Sequence, residues 1–311
     1  MQIIGRTATA AALLLAGLGT GTASANQEVL AENTCRVIDA LPHEITEPGR
    51  YCLRTHLITP SSDGAAITIS ASDVSLDLRG FSITSTVRDT RKRVVGILAR
   101  DQKNITIQRG KIEGFRYGVL ITDSAAVSAG HQISRLLVSE STAAGISVTG
   151  ASSTIEDNTV SRTGGGGSYA AGISYSGSLG RIRRNWVLHT FSTARGGYAA
   201  GIDLLQGPTQ SVQHNHIFRV AGPSSSFGIR CGAPFADPRF GNVVEHAAIP
   251  FSDCTPSPDP SPSPYPYPSP YLSFDRAAGG SAPLSAQTLG FSALGGMLLA
   301  AGLLVSKQFS S

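Results

Sequence analysis

Charge, aromatic rings and sulfur are all scarce in this chain, and each scarcity rules something out. Asp, Glu, Lys and Arg together supply only 15% of the residues and aromatics 6%, whereas glycine occurs 35 times. That mixture serves a helical bundle poorly and suits strands stacked through tight turns. The cysteines form no CxxC and keep no cysteine–histidine spacing, which argues against a zinc centre. No Lys-Ser/Thr follows the glycine run Gly164–Gly167, which argues against a phosphate loop. The net charge is only +4, part of it concentrated in Arg88, Arg91, Lys92 and Arg93. Such a run suits a solvated loop, an acidic glycan or an anionic surface. It has no interleaved aromatics, so nucleic acid is not expected as a partner.

Charge is also missing from both ends. Arg6 is the only charged side chain before Asn26, an apolar run from Ala10 to Leu18 follows it, and Ala23-Ser24-Ala25 supplies small residues for cleavage. Residues 1–25 therefore read as a signal peptide. From Thr255 the chain becomes alternating proline and serine, an extended polyproline spacer over 255–288. Leu289–Val305 is an apolar run of 17 residues without a charge, followed by Lys307. This is the short end of a membrane span. It reads as a membrane anchor or a sorting tail, although Ala282-Pro283-Leu284-Ser285-Ala286 does not match the sortase pentapeptide. A secreted protein held at the cell surface or envelope is expected.

The four cysteines, Cys35, Cys52, Cys231 and Cys254, all lie beyond the cleavage site. An even number in an exported chain favours disulfides, and three pairings are possible. Cys35–Cys52 and Cys231–Cys254 are favoured because each pair is close in sequence at one end of the repeats.

Those repeats set the fold class. Ala143-Ala144-Gly145-Ile146, Ala170-Ala171-Gly172-Ile173 and Ala199-Ala200-Gly201-Ile202 share one pattern, with looser copies around Gly96, Gly118 and Gly228. Successive glycines are 22, 27, 27, 29 and 27 residues apart. In step with them run Ile155-x-x-Asn158-x-Val160, Ile182-x-x-Asn185-x-Val187 and Val212-x-x-Asn215-x-Ile217. Two short apolar strands cannot close a core alone but bury a continuous one when stacked on copies of themselves. Stacking at about 4.8 Å per rung aligns Asn158, Asn185 and Asn215 into a ladder. The glycines are expected to permit a tight turn into each first strand.

The segment Ala66-Ile67-Thr68-Ile69 through Val74-x-Leu76-x-Leu78-x-Gly80-Phe81-x-Ile83 resembles the opening rungs of right-handed parallel β-helix repeat proteins. Pro48-Gly49-Arg50-Tyr51 and the two repeat motifs extend the resemblance over residues 34–248. It implies an all-β, single-stranded solenoid of about seven rungs over 65–254, with an N-terminal cap at 26–64. The superfamily includes pectate lyases, polygalacturonases, alginate epimerases and periplasmic copper-pathway proteins. Its catalytic signatures are absent here. The aspartate cluster and Gly-His-Gly of polygalacturonases are missing, although Arg181-Ile182-Arg183 is near their Arg-Ile-Lys. Asp237-Pro238-Arg239 departs from the epimerase Asp-Pro-His-Glu at its third residue. No column of three carboxylates is evident to hold the calcium of pectate lyases, and no cofactor is expected. The copper-pathway branch lacks its clustered Met, Cys and His.

Alternation along the strands nominates outward side chains. After each Gly-Ile pair stand Leu98, Leu120, Ser147, Ser174, Asp203 and Arg230, the last two one rung apart as a surface ion pair worth about 0–1 kcal/mol. Beside the asparagines stand Leu137, Thr159, Trp186 and His216. The lone tryptophan is placed to stack on a sugar ring. Asp157, Arg184 and His214 precede the ladder, and Glu140, Arg162, His189 and Arg219 follow the second strands. Tyr169, Tyr198 and Phe227 follow Gly-rich loops, as a binding face or as cover for the core edge. The reading is recognition of a polysaccharide, acidic in character, with Trp186, Arg162, Arg184, His214, Tyr169, Asp203 and Arg230 as binding residues. The alternative is a lyase or epimerase acting on uronates, with Tyr198, His189, Arg219 and His216 as acid–base or charge-stabilising groups. A second alternative is a non-catalytic structural or accessory envelope protein.

Overall fold

The computed structural model describes residues 34–254, apart from 88, 90, 126, 208–210 and 233–239. The signal peptide, the proline-rich spacer and the apolar tail lie outside the described residues. What is described is all strand and turn, wound as a right-handed parallel β-helix. One sheet has nine strands, from His43–Ile45 to Ile249–Ser252, and seven of these fall between residues 65 and 233. The other sheet has fourteen, because most coils give it two strands that meet at a corner, as Thr154–Glu156 and Thr159–Gly164 do.

The two sequence motifs map onto these two sheets. Ala144–Thr149, Tyr169–Ser176 and Tyr198–Gln206 carry the Gly-Ile pairs and pair in parallel, with Ile146, Ile173, Ile202 and Ile229 in one column. Upstream, Ile67, Ile97 and Val119 continue that column. All seven side chains are fully buried. Full burial of such a side chain stabilises by roughly 1.5–3 kcal/mol, so stacking identical residues builds the core.

The asparagine ladder forms as expected, with one more member. Asn158 Nδ2 donates to Asn185 Oδ1 at 3.0 Å, Asn185 to Asn215 at 2.9 Å, and Asn215 to Asn242 at 2.9 Å. Each of the first three amides also donates to a strand carbonyl, of Ile133, Ile155 and Ile182. The ladder stops at Leu136, whose N–H donates to Asn158 Oδ1. The residue before each asparagine turns the corner in the left-handed region: Asp157 at φ 57°, Arg184 at 54° and His214 at 55°.

The repeated glycines have a different role from the one expected. Gly145, Gly172 and Gly201 lie inside their strands, not at the turns entering them. A methyl group at Gly172 would overlap Val187 and reach within 2.7 Å of the Gly201 carbonyl. The pattern marks close approach across the coil, where nothing larger than hydrogen fits.

Residues 34–64 carry strands Arg36–Ile38, His43–Ile45, Gly49–Leu53 and Leu57–Thr59, which pair in parallel with neighbouring strands of the solenoid. Cys35–Cys52 ties this end and Cys231–Cys254 the other. These are the favoured pairings. Disulfides persist in oxidising compartments, which fits an extracytoplasmic setting.

Candidate functional site

The strands Trp186–Phe191 and His216–Ala221 present the chemically richest wall. Trp186 is 50% exposed and stacks on His216 in the next coil, with ring centroids 4.4 Å apart and planes at 23°. On the other side its column neighbour is Thr159, too small to cover the second indole face. His216 Nε2 lies 3.8 Å from Glu245 Oε1.

Two residues along the strand, Phe218 is the hub of a second cluster. His189 meets its ring edge-on at 6.0 Å, His246 does so at 5.1 Å, and the Arg219 guanidinium sits 5.3 Å from its centroid. His189, Arg219 and His246 all have φ of 58°. A left-handed non-glycine residue costs roughly 1–2 kcal/mol. Three successive coils bear that cost at one position, which bends the strand and leaves the three side chains exposed. Phe218, Glu245 and His246 escaped the sequence reading. Phe218 was within reach of the alternation that found Trp186 and His216.

The arginines beside this wall are occupied by carboxylates. Arg184 bonds Asp157 at 2.7 and 3.0 Å and Glu156 at 2.9 Å, and Arg183 bonds Glu156 at 2.7 Å. The Asp157 bond holds the Arg184 guanidinium above its usual pKa and Asp157 below the ordinary carboxylate range. Arg162 reaches Glu140 at 3.3 Å. His214 stands apart, edge-on to the exposed ring of Phe240 at 5.8 Å.

Tyr169, Tyr198, Asp203 and Arg230 lie on the nine-stranded sheet. Among the described residues, no hydrogen bond or ring contact joins Tyr198 to His189, His216 or Arg219, so those four do not form one constellation. Asp203 does point out of the coil, but it is fully buried, and its pair with Arg230 is no surface pair. The Arg230 guanidinium donates to both Asp203 oxygens, at 2.9 and 3.1 Å, and to Tyr198 Oη at 2.9 Å. Tyr198 donates back to Asp203 at 3.3 Å and its ring lies 4.6 Å from the guanidinium carbon. Tyr169, Tyr198 and Phe227 follow edge-on at 5.3 and 6.0 Å, forming the lid over this pair. The physical reason is length: tyrosine and arginine fold over a short carboxylate that alternation alone would expose. Burial, then the Asp203 charge, pushes the Tyr198 hydroxyl up to about 12. It holds its proton at neutral pH and is a hydrogen-bond donor there.

Among the described residues, no group of three or more His, Cys, Asp or Glu side chains is placed to hold a metal ion. No curated protein matches the chain. Among solved structures, the crystal structure of the Dettilon tailspike protein is similar over 74% of this chain, at 13% identity and a TM-score of 0.27. The similarity spans 64% of the tailspike chain, less than two thirds of its length. The family model for the right-handed β-helix region matches residues 65–233, more than half of the 311 residues. Those residues hold the seven inner strands and the whole isoleucine column, and the chain belongs to the right-handed β-helix family.

Proposed function

We propose that this is an exported β-helix protein, tethered at the surface by its C-terminal segment, that recognises an acidic polysaccharide along the Trp186 wall. The observation that carries this reading is the half-exposed indole of Trp186, one face against His216 and the other open beside Thr159. A flat ring supported from behind is a platform for a sugar. On the same two strands His189 and Arg219 are exposed, as is His246 on the next coil; they supply hydrogen-bond donors, and the arginine its charge. The rungs repeat every ~4.8 Å, so successive coils set their outward side chains along a line, as an extended polymer requires.

Elimination or epimerisation of uronates is the second reading, and the Asp203–Arg230–Tyr198 network is the observation in its favour. A buried charge pair bonded to a tyrosine is the kind of group found at catalytic sites. One experiment separates the two. The purified chain, disulfides intact, is mixed with uronate-containing and neutral polysaccharides while binding and unsaturated-uronate absorbance are followed together. Binding without absorbance, weakened at least tenfold by Trp186→Ala, supports recognition. Absorbance that grows and is lost in Tyr198→Phe moves the function to the other sheet. No binding to any acidic glycan contradicts both readings.

A further inference from the structure

The corner that precedes the asparagine ladder continues into the earlier coils, and there it turns basic. Arg79, Arg109 and Arg135 occupy it on three successive coils, at φ of 51°, 58° and 54°. That conformation favours glycine or asparagine, and Gly241 takes the same place on the last coil. The backbone therefore gives no reason for arginine. One coil before Arg79, the exposed Arg54 sits opposite the same turn.

Charge is balanced differently at the two ends of this corner. On the later coils Asp157 and Arg184 neutralise each other. On the earlier ones a single carboxylate serves three arginines. Arg109 grips both oxygens of Asp77, and Asp77 Oδ1 also accepts the Arg79 backbone N–H at 2.9 Å. Asp157 lies within range of the Arg135 charge, but its oxygens are held by Arg184. Arg79 and Arg135 are exposed, and neither makes an ion pair among the described residues. With Arg109, Gly80 and Gly110 they line an open trough of ≈ 620 Å³. A methyl group at Gly80 would meet nothing within 4 Å, so the trough is bare there.

Arg79 and Arg135 are two rungs apart, roughly 10 Å, about the length of a disaccharide. Planar guanidiniums suit carboxylate and sulfate groups. The trough lies on the same fourteen-stranded sheet as Trp186. Two residues beyond Arg109 and Arg135, Lys111 and Leu137 stand in the outward column that runs through Thr159 to Trp186. Lys111 is paired with Glu113 at 2.7 Å.

We infer that this arginine corner is a second contact for the acidic polysaccharide. It takes anionic groups of alternate sugars at Arg79 and Arg135 while another stretch of the polymer stacks on Trp186. The inference rests on the glycan reading for its ligand. It adds a source of selectivity for acid, because Arg184 beside the Trp186 wall is already bonded to carboxylates.

The test titrates the full chain with short and long chondroitin sulfate fragments at low ionic strength, following Trp186 emission and heat together. The double variant Arg79→Gln/Arg135→Gln is compared with Arg100→Gln, which removes an exposed charge from the nine-stranded sheet. All three arginines are exposed, so folding is retained and is checked by circular dichroism. Expected is that the long fragment binds about tenfold tighter than the short one, through two contacts on one polymer. The double variant loses that gain, raised salt diminishes it, and Arg100→Gln keeps it. A gain that survives the double variant overturns the inference and leaves recognition at Trp186 intact. An equal loss in Arg100→Gln assigns the gain to overall charge and overturns it as well. So does binding of phosphatidylglycerol vesicles, in place of the fragments, that the double variant abolishes. No binding of either fragment removes the glycan reading and this site together.

Discussion

Replacing Asn185 with leucine tests whether the ladder holds the coils together. Asn185 Oδ1 accepts from the Asn158 backbone N–H at 3.1 Å and from Asn158 Nδ2 at 3.0 Å. Its Nδ2 donates to the Ile155 carbonyl and to Asn215 Oδ1, both at 2.9 Å. After substitution, Asn158 Nδ2 keeps the Ile133 carbonyl and Asn215 Oδ1 keeps the Asn185 backbone N–H. The Asn158 N–H and the Ile155 carbonyl lose these partners inside the protein. Each stranded group costs roughly 1–3 kcal/mol, so the variant should lose about 4 kcal/mol. Steric strain does not confuse the result, because Leu136 occupies the equivalent corner position one coil before Asn158. Urea unfolding followed by far-ultraviolet circular dichroism gives the loss. Amide exchange shows whether it is centred on coils 154–217, since solenoids can open locally. A loss below about 1 kcal/mol with unchanged exchange would refute the argument.

Arg230→Leu leaves the Asp203 carboxylate buried without its cation and should cost about 3 kcal/mol, whereas adding Asp203→Leu should restore part of it; thermal melts of the four proteins close the cycle. His131 is fully buried against Ser128 Oγ at 2.7 Å, and desolvation lowers its pKa to about 4, offset only in part by Asp123. The unfolded chain takes up that proton near pH 6.5 and the native chain only near 4, so stability falls with pH across this window. At about 1.36 kcal/mol per unit the loss is about 3 kcal/mol, and stability that stays flat between pH 7 and 4 would contradict the burial argument. Gly172→Ala should cost more than about 2 kcal/mol through overpacking, while Gly167→Ala, in open space, should lie within about 0.5 kcal/mol of the parent. Equal melting temperatures for the two alanine variants would show that the strand glycines are not packing positions.

The solenoid was legible because its period is written in residue identities. Ala-Ala-Gly-Ile recurs at nearly constant spacing, and a buried amide ladder tolerates only asparagine. Asn242 was missed because Arg239 stands where the motif wants an apolar residue. The outward positions of Trp186 and His216 followed from alternation alone. Asp203 was misjudged because alternation gives the direction of a side chain and not what folds over it. Tyr198, at the start of the same strand, and Arg230, on the next coil, cover it.

Trp186 is the only tryptophan in the chain, so its fluorescence reports on the proposed wall and nothing else. Titrating the intact protein with an acidic polysaccharide, beside a neutral one of similar length, tests the central claim directly. The account predicts a saturable change in intensity and emission wavelength that is specific to the acidic polymer and weakens as salt is raised. Binding detected by calorimetry with no change in Trp186 emission would contradict it and take the polysaccharide off this wall.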